Sequence, residues 1–345
     1  MSNTIDQQVI DFQSNILRQV ASLKPQQKLV DVLSQLLGIS QNAAYKKIQG
    51  NSNLSIEDLL ILTRELGISL DQFVPFKSSP IPFMVDVIRK LPSEYLDFFL
   101  NLRNHMNYLT DLKGMSYINL AGEVPFFHMM PFDYLFNFKL YVYNYTTWNI
   151  SGYNRTVDTQ LIQNNPELKK VIDHCIKAYY DYEGIEIWNI RMLDITWDQI
   201  KYFIQLRAFP DRNSVYQIIH DIENLLQHLS QICEKGMKIY EAKNFISKAK
   251  VKIYMNELTH SNDVFFIHSD TQQFAFHTFN TPNFMRTGDP RFVKHTKAWL
   301  DFSLKHTSLI SGEGEKDRIA LLQVIHQKFE KAKREIEGLL AVKYD

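Results

Sequence analysis

Two short apolar segments flank the dipeptide Gly38-Ile39, and that narrow gap dictates how the N-terminal part of the chain folds. Before it, Leu29, Val32, Leu33, Leu36 and Leu37 recur at three- and four-residue steps, which predicts a helix from about Gln26 to Leu37. Gly38 suits the left-handed backbone that closes a helix. After it, Ser40 offers an N-cap oxygen to a second helix, with Ala44 and Ile48 on its buried side and Gly50 at its end. The turn between the two is therefore Gly38-Ile39. This second helix is short and turns Gln41, Asn42, Tyr45, Lys46 and Gln49 outwards, side chains able to hydrogen-bond base edges or phosphates.

The neighbouring segments complete a small helical module. Ile5, Val9, Phe12, Ile16, Val20 and Leu23 form one apolar helix face, which stops at Pro25. Ser55 caps a further helix through Leu66, with Glu57 and Asp58 in its first turn and Gly67 at its close, and a last short helix runs from Ser69 to about Phe73. The run LSQLLGISQNAAYKKIQG, followed by LSIEDLLILTRELGISLDQF, resembles the Cro/repressor (Xre) helix-turn-helix family over about residues 26–74. That resemblance implies that Gly38 is the turn glycine, that Ser34 is the small residue beneath the crossing helices, and that the second helix faces a DNA groove. The DNA-binding set is then Ser40, Gln41, Asn42, Tyr45, Lys46, Lys47 and Gln49, with Gln41 and Asn42 foremost. Lys47 departs from the pattern, standing where the family has an inward apolar residue, so it either snorkels or rotates the helix.

Charge limits what such a module can do alone. The 345-residue chain has a formal net charge of zero. Within residues 1–76 the bases Arg18, Lys24, Lys28, Lys46, Lys47 and Arg64 face the acids Asp6, Asp11, Asp31, Glu57, Asp58, Glu65 and Asp71. Specific affinity for double-stranded DNA then requires two half-sites and a homodimer. The alternative is a helical protein-docking module, as in phage or toxin-antitoxin systems.

Residues 1–76 are read as the DNA-binding domain, 77–82 as a linker around Ser78-Ser79-Pro80, and 83–345 as a larger α+β domain for sensing or dimerisation. In it, helices are expected from Ile81 to Lys113 with a break at Pro92 and a new cap at Ser93, then over Pro166–Tyr180, Trp197–Leu206 and Ser214–Cys233. Alternation at Val251-Ile253-Met255, followed by Asp263–His268 and Gln273–Phe279, predicts three neighbouring strands. The final helix, about Lys316 to Ala341, carries Leu322, Ile325, Phe329, Ala332, Ile336 and Leu339 on one face, a closing helix or a dimer seam. The aromatic stretch VPFFHMMPFDYLFNFKLYVYNYTTWN suits an aromatic core, or a pocket for a small-molecule effector bounded by Phe127, His128, Tyr134, Tyr141 and Trp148. This stretch and KHTSLISGEGEKDR loosely resemble large Bacteroidetes-type helix-turn-helix regulators, which implies architecture only.

Little else carries chemistry. His260, His268, His277, His295 and His306 cluster in sequence without metal-ligand spacing, and Cys175 and Cys233 read as core thiols of an intracellular protein. Ser311-Gly312-Glu313-Gly314-Glu315 is better a turn into the last helix than an anion loop, since its two glutamates repel phosphate. No nucleotide, nucleophile-elbow or zinc-protease motif is found. The expectation is a cytoplasmic transcriptional regulator that is not an enzyme, needs no cofactor or metal, and has no membrane segment.

Overall fold

The computed structural model describes residues 2–24, 26–73, 80–85, 94–150, 155–242, 245–258 and 263–344. Pro92, Ser93, His260 and the expected linker positions 77–79 lie outside the described residues. The chain divides into two compact units, Met1–Pro82 and Phe83–Asp345.

The smaller unit consists of helices α1 (Ser2–Leu23), α2 (Leu29–Leu37), α3 (Gln41–Ile48) and α4 (Ile56–Leu66), closed by a 3-10 turn at Leu70–Phe73. Each boundary has a local cause. Gly38 is left-handed at φ 64° and its N–H reaches back to the Ser34 carbonyl, ending α2. Ser40 accepts from the Ala43 amide to start α3. Ser55 and Asp58 exchange side-chain and backbone bonds as a capping box that starts α4. Ile16, Val20, Val32, Leu33, Ala44, Leu62 and Ile68 form its buried core.

The larger unit is built on an eight-stranded mixed sheet. Its strands are β1 (Ser116–Leu120), β2 (Gly184–Asn189), β3 (Met237–Ala242), β4 (Phe245–Asn256), β5 (Val264–His268), β6 (Gln273–Asn280), β7 (Asn283–Thr287) and β8 (Ser308–Leu309). Seven of them lie in the order β3-β4-β2-β1-β5-β6-β7, with β8 pairing on β4. β1, β2 and β4 are mutually parallel in the middle, and the remaining pairings are antiparallel. The expected three neighbouring strands are thus corrected. β5 and β6 do pair, but β1 and β2 separate β4 from β5. Both inserted strands are short and buried along most of their length, so they lack the alternation that marks a half-exposed strand.

One face of the sheet carries a thick helical layer: α5 (Tyr95–Thr110), α6 (Phe126–Met129), α7 (Asp133–Tyr143), α8 (Pro166–Asp181), α9 (Asp194–Gln205), α10 (Arg212–Lys235) and α12 (Glu315–Lys343). The other face is covered by α11 (Pro290–Leu304), whose Val293 and Leu300 pack on Ile118, Leu120, Ile187 and Phe266. The period of two along β1 and β2 therefore sends Tyr117, Glu186 and Trp188 to the thick layer and Ile118 and Ile187 to the thin one. α7 is buried on every side, from Leu135 through Tyr143, as befits a helix in the middle of a layer. It runs into a π-turn at Asn144–Trp148 that stops at Asn149, left-handed at φ 50°.

On α12, Ile325, Phe329, Ala332 and Ile336 are buried within the chain's own core, so this apolar face serves as the inner side of a closing helix. The 311–315 segment is a packed turn: Ser311 Oγ accepts from the Ile253 amide, and Gly312 N–H donates to Cys233. Gly314 lies so close to the Leu309 carbonyl that a Cβ would overlap it.

Candidate functional site

The outward face of α3 is where the sequence placed it. Gln41, Asn42, Tyr45, Lys46 and Gln49 are exposed, and Ala44 is wholly buried. Ser40 is also exposed, with its hydroxyl engaged as the cap. Gln41 donates through Nε2 to Asp31 Oδ1 at 3.0 Å, so an acid of α2 orients the first side chain of this face.

Lys47 is the exception. Its ammonium lies 2.7 Å from Asp58 Oδ2 and donates to the Asn53 carbonyl at 2.9 Å, with 12% of the side chain exposed. The lysine stem lies inward and its charge is paired with the capping box of α4, so of the set expected to bind DNA Lys47 alone has its charged end engaged with the neighbouring helix. Asp58 is raised by burial, but its bonds to Lys47 and to the Ser55 amide and hydroxyl outweigh that and hold the carboxyl below its ordinary range. The pairing fixes α3 against the start of α4 instead of rotating it.

A second anchor was not visible in the sequence. Gln13 of α1 is buried and donates to the carbonyls of Lys47 and Ser52 at 2.7 and 2.9 Å, while its Oε1 accepts from the Leu54 amide at 2.7 Å. One amide thus satisfies the backbone of the segment that joins α3 to α4.

In the larger unit, of the five residues expected to line an effector pocket, His128, Tyr141 and Trp148 are buried and Phe127 and Tyr134 partly buried. Trp148 and His128 are fully buried and Tyr141 nearly so. Each meets different partners. Phe127 stacks on Tyr179 at 4.4 Å, the Trp148 indole N–H donates to Asn283, the Tyr141 hydroxyl donates to the Arg155 carbonyl, and the Tyr134 amide donates to Asp221. The five come from three elements, α6, α7 and the π-turn, and α7 spreads its side chains around its whole circumference.

His128 leads to a feature that the sequence analysis missed. Glu186 of β2 is fully buried, and its carboxylate accepts from the Tyr179 and Tyr117 hydroxyls at 2.6 and 2.7 Å and from the Trp188 indole at 2.8 Å. His128 Nε2 is 3.0 Å from the other side of the same group. Lys238 of β3 is also fully buried, donates to the Tyr179 carbonyl, and lies 4.1 Å from the Tyr179 ring centre. Burial alone would raise the Glu186 carboxyl, but the charge and hydrogen bond of His128, the charge of Lys238 and the Tyr179 hydroxyl drive it far below its ordinary range. Burial pulls the Lys238 amine down to about 7, opposed by Glu186, Asp181 and Glu183. Burial, with Glu186 next, pushes the Tyr117, Tyr179 and Tyr180 hydroxyls well up. No single motif announces this centre, because its members come from five elements.

His228 of α10 accompanies the centre, and burial, with the charge of His128 second, lowers it to about 4. An unfolded histidine takes its proton near pH ~6.5. Between those values the unfolded chain binds more protons, so stability falls as pH falls. Asp263, raised to about 6 chiefly by burial, acts in the opposite sense over much of this range. The two are separated by difference: relative to the parent, His228→Gln should gain stability as pH drops from neutral toward the acid end, by up to about 3 kcal/mol. Urea melts at a series of pH values measure this, and parallel curves for the two proteins would refute it.

Of the clustered histidines, His268 Nδ1 accepts from the Gln273 side-chain amide, and His277 packs edge-on to Phe292. Among the described residues, no group of three or more metal-capable side chains assembles. No described helix is long and apolar enough to cross a membrane. No protein-family model, curated protein or solved structure matches this chain.

Proposed function

We propose that the chain is a sequence-specific DNA-binding transcriptional regulator, whose smaller unit is a helix-turn-helix module of Cro/repressor type and whose larger unit is its control domain. The observation that carries this reading is α3 itself. It is a short helix with a polar, exposed face of amide, phenol and amine groups, held from behind by Gln13 and by the Lys47–Asp58 pair. Side chains on a rigid support lose little order when they meet base edges. Asp31 beside Gln41 and the near-zero charge of the module make one copy a weak binder, so the active species is a homodimer on two half-sites about one helical turn apart.

Selection from randomised duplex DNA tests this, followed by variants of α3. Gln41 and Asn42 each donate and accept, which matches adenine, so Gln41→Ala or Asn42→Ala should cost about 1 to 3 kcal/mol on the selected site and much less on random DNA. Lys46→Ala should weaken both and lower the salt slope by about 1. A parent that enriches no sequence removes the reading.

A protein-docking role for the same unit is favoured by one observation, the exposure of Ile56 (79%) and Leu60 (65%) one turn apart on α4. In that case Ile56→Glu with Leu60→Glu would abolish function, whereas alanine at Gln41 and Asn42 would not.

A further inference from the structure

The hydrogen bonds around Tyr180 run without a gap from the core to a partly exposed side chain. His128 Nδ1 lies 3.1 Å from the Tyr180 hydroxyl, and that hydroxyl lies 2.7 Å from His228 Nε2. On its other side His128 Nε2 meets Glu186. His128 is fully buried, while His228 is only partly so.

A tyrosine hydroxyl has one proton to give, so in this chain Tyr180 donates to one imidazole and accepts from the other. Two arrangements satisfy every atom. In the first, His128 carries a proton on both nitrogens and stands as a cation against the Glu186 carboxylate. Tyr180 then donates to His228, which is neutral with its proton on Nδ1. In the second, His128 is neutral with its proton on Nε2, and its Nδ1 accepts from Tyr180. His228 is again neutral, but its proton is on Nε2 and donated to the Tyr180 oxygen. The bond from His128 to Glu186 survives in both.

We infer that Tyr180 relays protons between the buried His128–Glu186 pair and solvent by way of His228. In the outward direction, a base in solvent, water or a buffer anion, takes the proton from His228 Nδ1. The Tyr180 hydroxyl proton passes to His228 Nε2, and the His128 Nδ1 proton passes to the Tyr180 oxygen. As many N–H and O–H bonds form as break, solvent gains one proton, and His128 loses its charge. The inward direction reverses each step. The ligand of this site is the proton itself, and the relay lets a fully enclosed ion pair charge and discharge without the core opening.

The groups that face the relay favour a confined route. Glu186 is already taken by Tyr117 from β1, Tyr179 from α8 and Trp188 from β2, so His128 Nε2 has a fixed partner. Lys238 from β3 is turned to the Tyr179 carbonyl, and Tyr240 of the same strand packs on the Tyr180 ring at 5.1 Å. The Cys233 thiol of α10, raised to about 12 by burial and next by Glu186, remains protonated and does not compete. Phe132 covers His228 with its ring centre 6.0 Å away. The charge of His128 governs how strongly α6 is held to β2, because a charged hydrogen bond in a dry interior outweighs a neutral one. This inference is independent of DNA binding.

The test uses the full chain with 15N-labelled histidine. As pH rises, loss of the His128 Nδ1 proton and transfer of the His228 proton from Nδ1 to Nε2 should share one midpoint. In Tyr180→Phe the two should separate. Because Trp188 lies 6.1 Å from His128, a pH jump read by tryptophan fluorescence follows the same event in time. His228→Gln keeps a hydrogen-bonding group beside Tyr180 but cannot pass a proton, so it should slow that response at least tenfold while folding as the parent does. A parental His128 that never changes state, separate midpoints in the parent, or unchanged rates in His228→Gln would each overturn the relay.

Discussion

Replacing Glu186 with glutamine is expected to destabilise the larger unit by about 3 to 5 kcal/mol, the cost of breaking a buried ion pair from one side. All four neighbours of this carboxylate, Tyr117, Tyr179, Trp188 and His128, point hydrogen-bond donors at it. An amide offers one acceptor oxygen, and its NH2 group would face donors that it cannot satisfy. Lys238 would also lose the strongest of the charges that compensate it. Since domains of this kind hold together by roughly 5 to 15 kcal/mol, a loss of that size moves the urea midpoint far down and brings partial unfolding into reach at 37 °C. Pairing Glu186→Gln with Lys238→Met should recover part of the loss, because the uncompensated cation goes too. If Glu186→Gln melts with the parent, the carboxylate does not compensate the charges around it.

The second large effect is expected from Gln13→Leu in the smaller unit. Leucine fills the space, but the Ser52 carbonyl and the Leu54 amide lose the partner that Gln13 supplies, and the Lys47 carbonyl is left with the Gly50 amide, in a partly buried segment. An orphaned buried group costs about 1 to 3 kcal/mol, and a unit of this size has little stability to spare. The expected result is loss of hydrogen-exchange protection through residues 41–54, with the protection of 94–344 unchanged. Under the proposed function, binding to the selected DNA should fall with it, although Gln13 lies behind α3 and not on its exposed face. Parental protection over 41–54 would show that the segment holds itself.

These two residues also show what a sequence conceals. The caps of the smaller unit were legible because a cap is local: Gly38, Ser40, Ser55 and Gly67 each act within a few residues of themselves. The α3 face was legible for the same reason. Gln13 was not, since its partners lie 34 to 41 residues away and a lone glutamine on an otherwise apolar face carries no signal. His128 was singled out, but for a pocket. Its true partner, Glu186, sits in Gly184-Ile-Glu-Ile-Trp-Asn189, where an acid between isoleucines reads as the polar side of a strand with one wet face. The strand is instead central and covered on both faces, and only the order of the sheet reveals it. Lys47 departs from the apolar pattern on the inner side of α3, and its inward ammonium is balanced by Asp58, eleven residues on.

The parallel middle of the sheet has a consequence in time. Gly184 pairs with Val251 and Ser116 pairs with His268, so the ladders of β2 with β4 and of β1 with β5 close only after most of the larger unit has been made, whereas Tyr117 can meet Gly184 earlier. Contacts between such distant residues form slowly, whereas the neighbouring helices of the smaller unit can assemble on a far shorter timescale. On the ribosome, where the N-terminus emerges first at about 5 to 20 residues per second, the smaller unit would be finished while β1 still waits for β2 and β5. A nascent chain would therefore present a complete α3 surface some seconds before the domain proposed to control it exists.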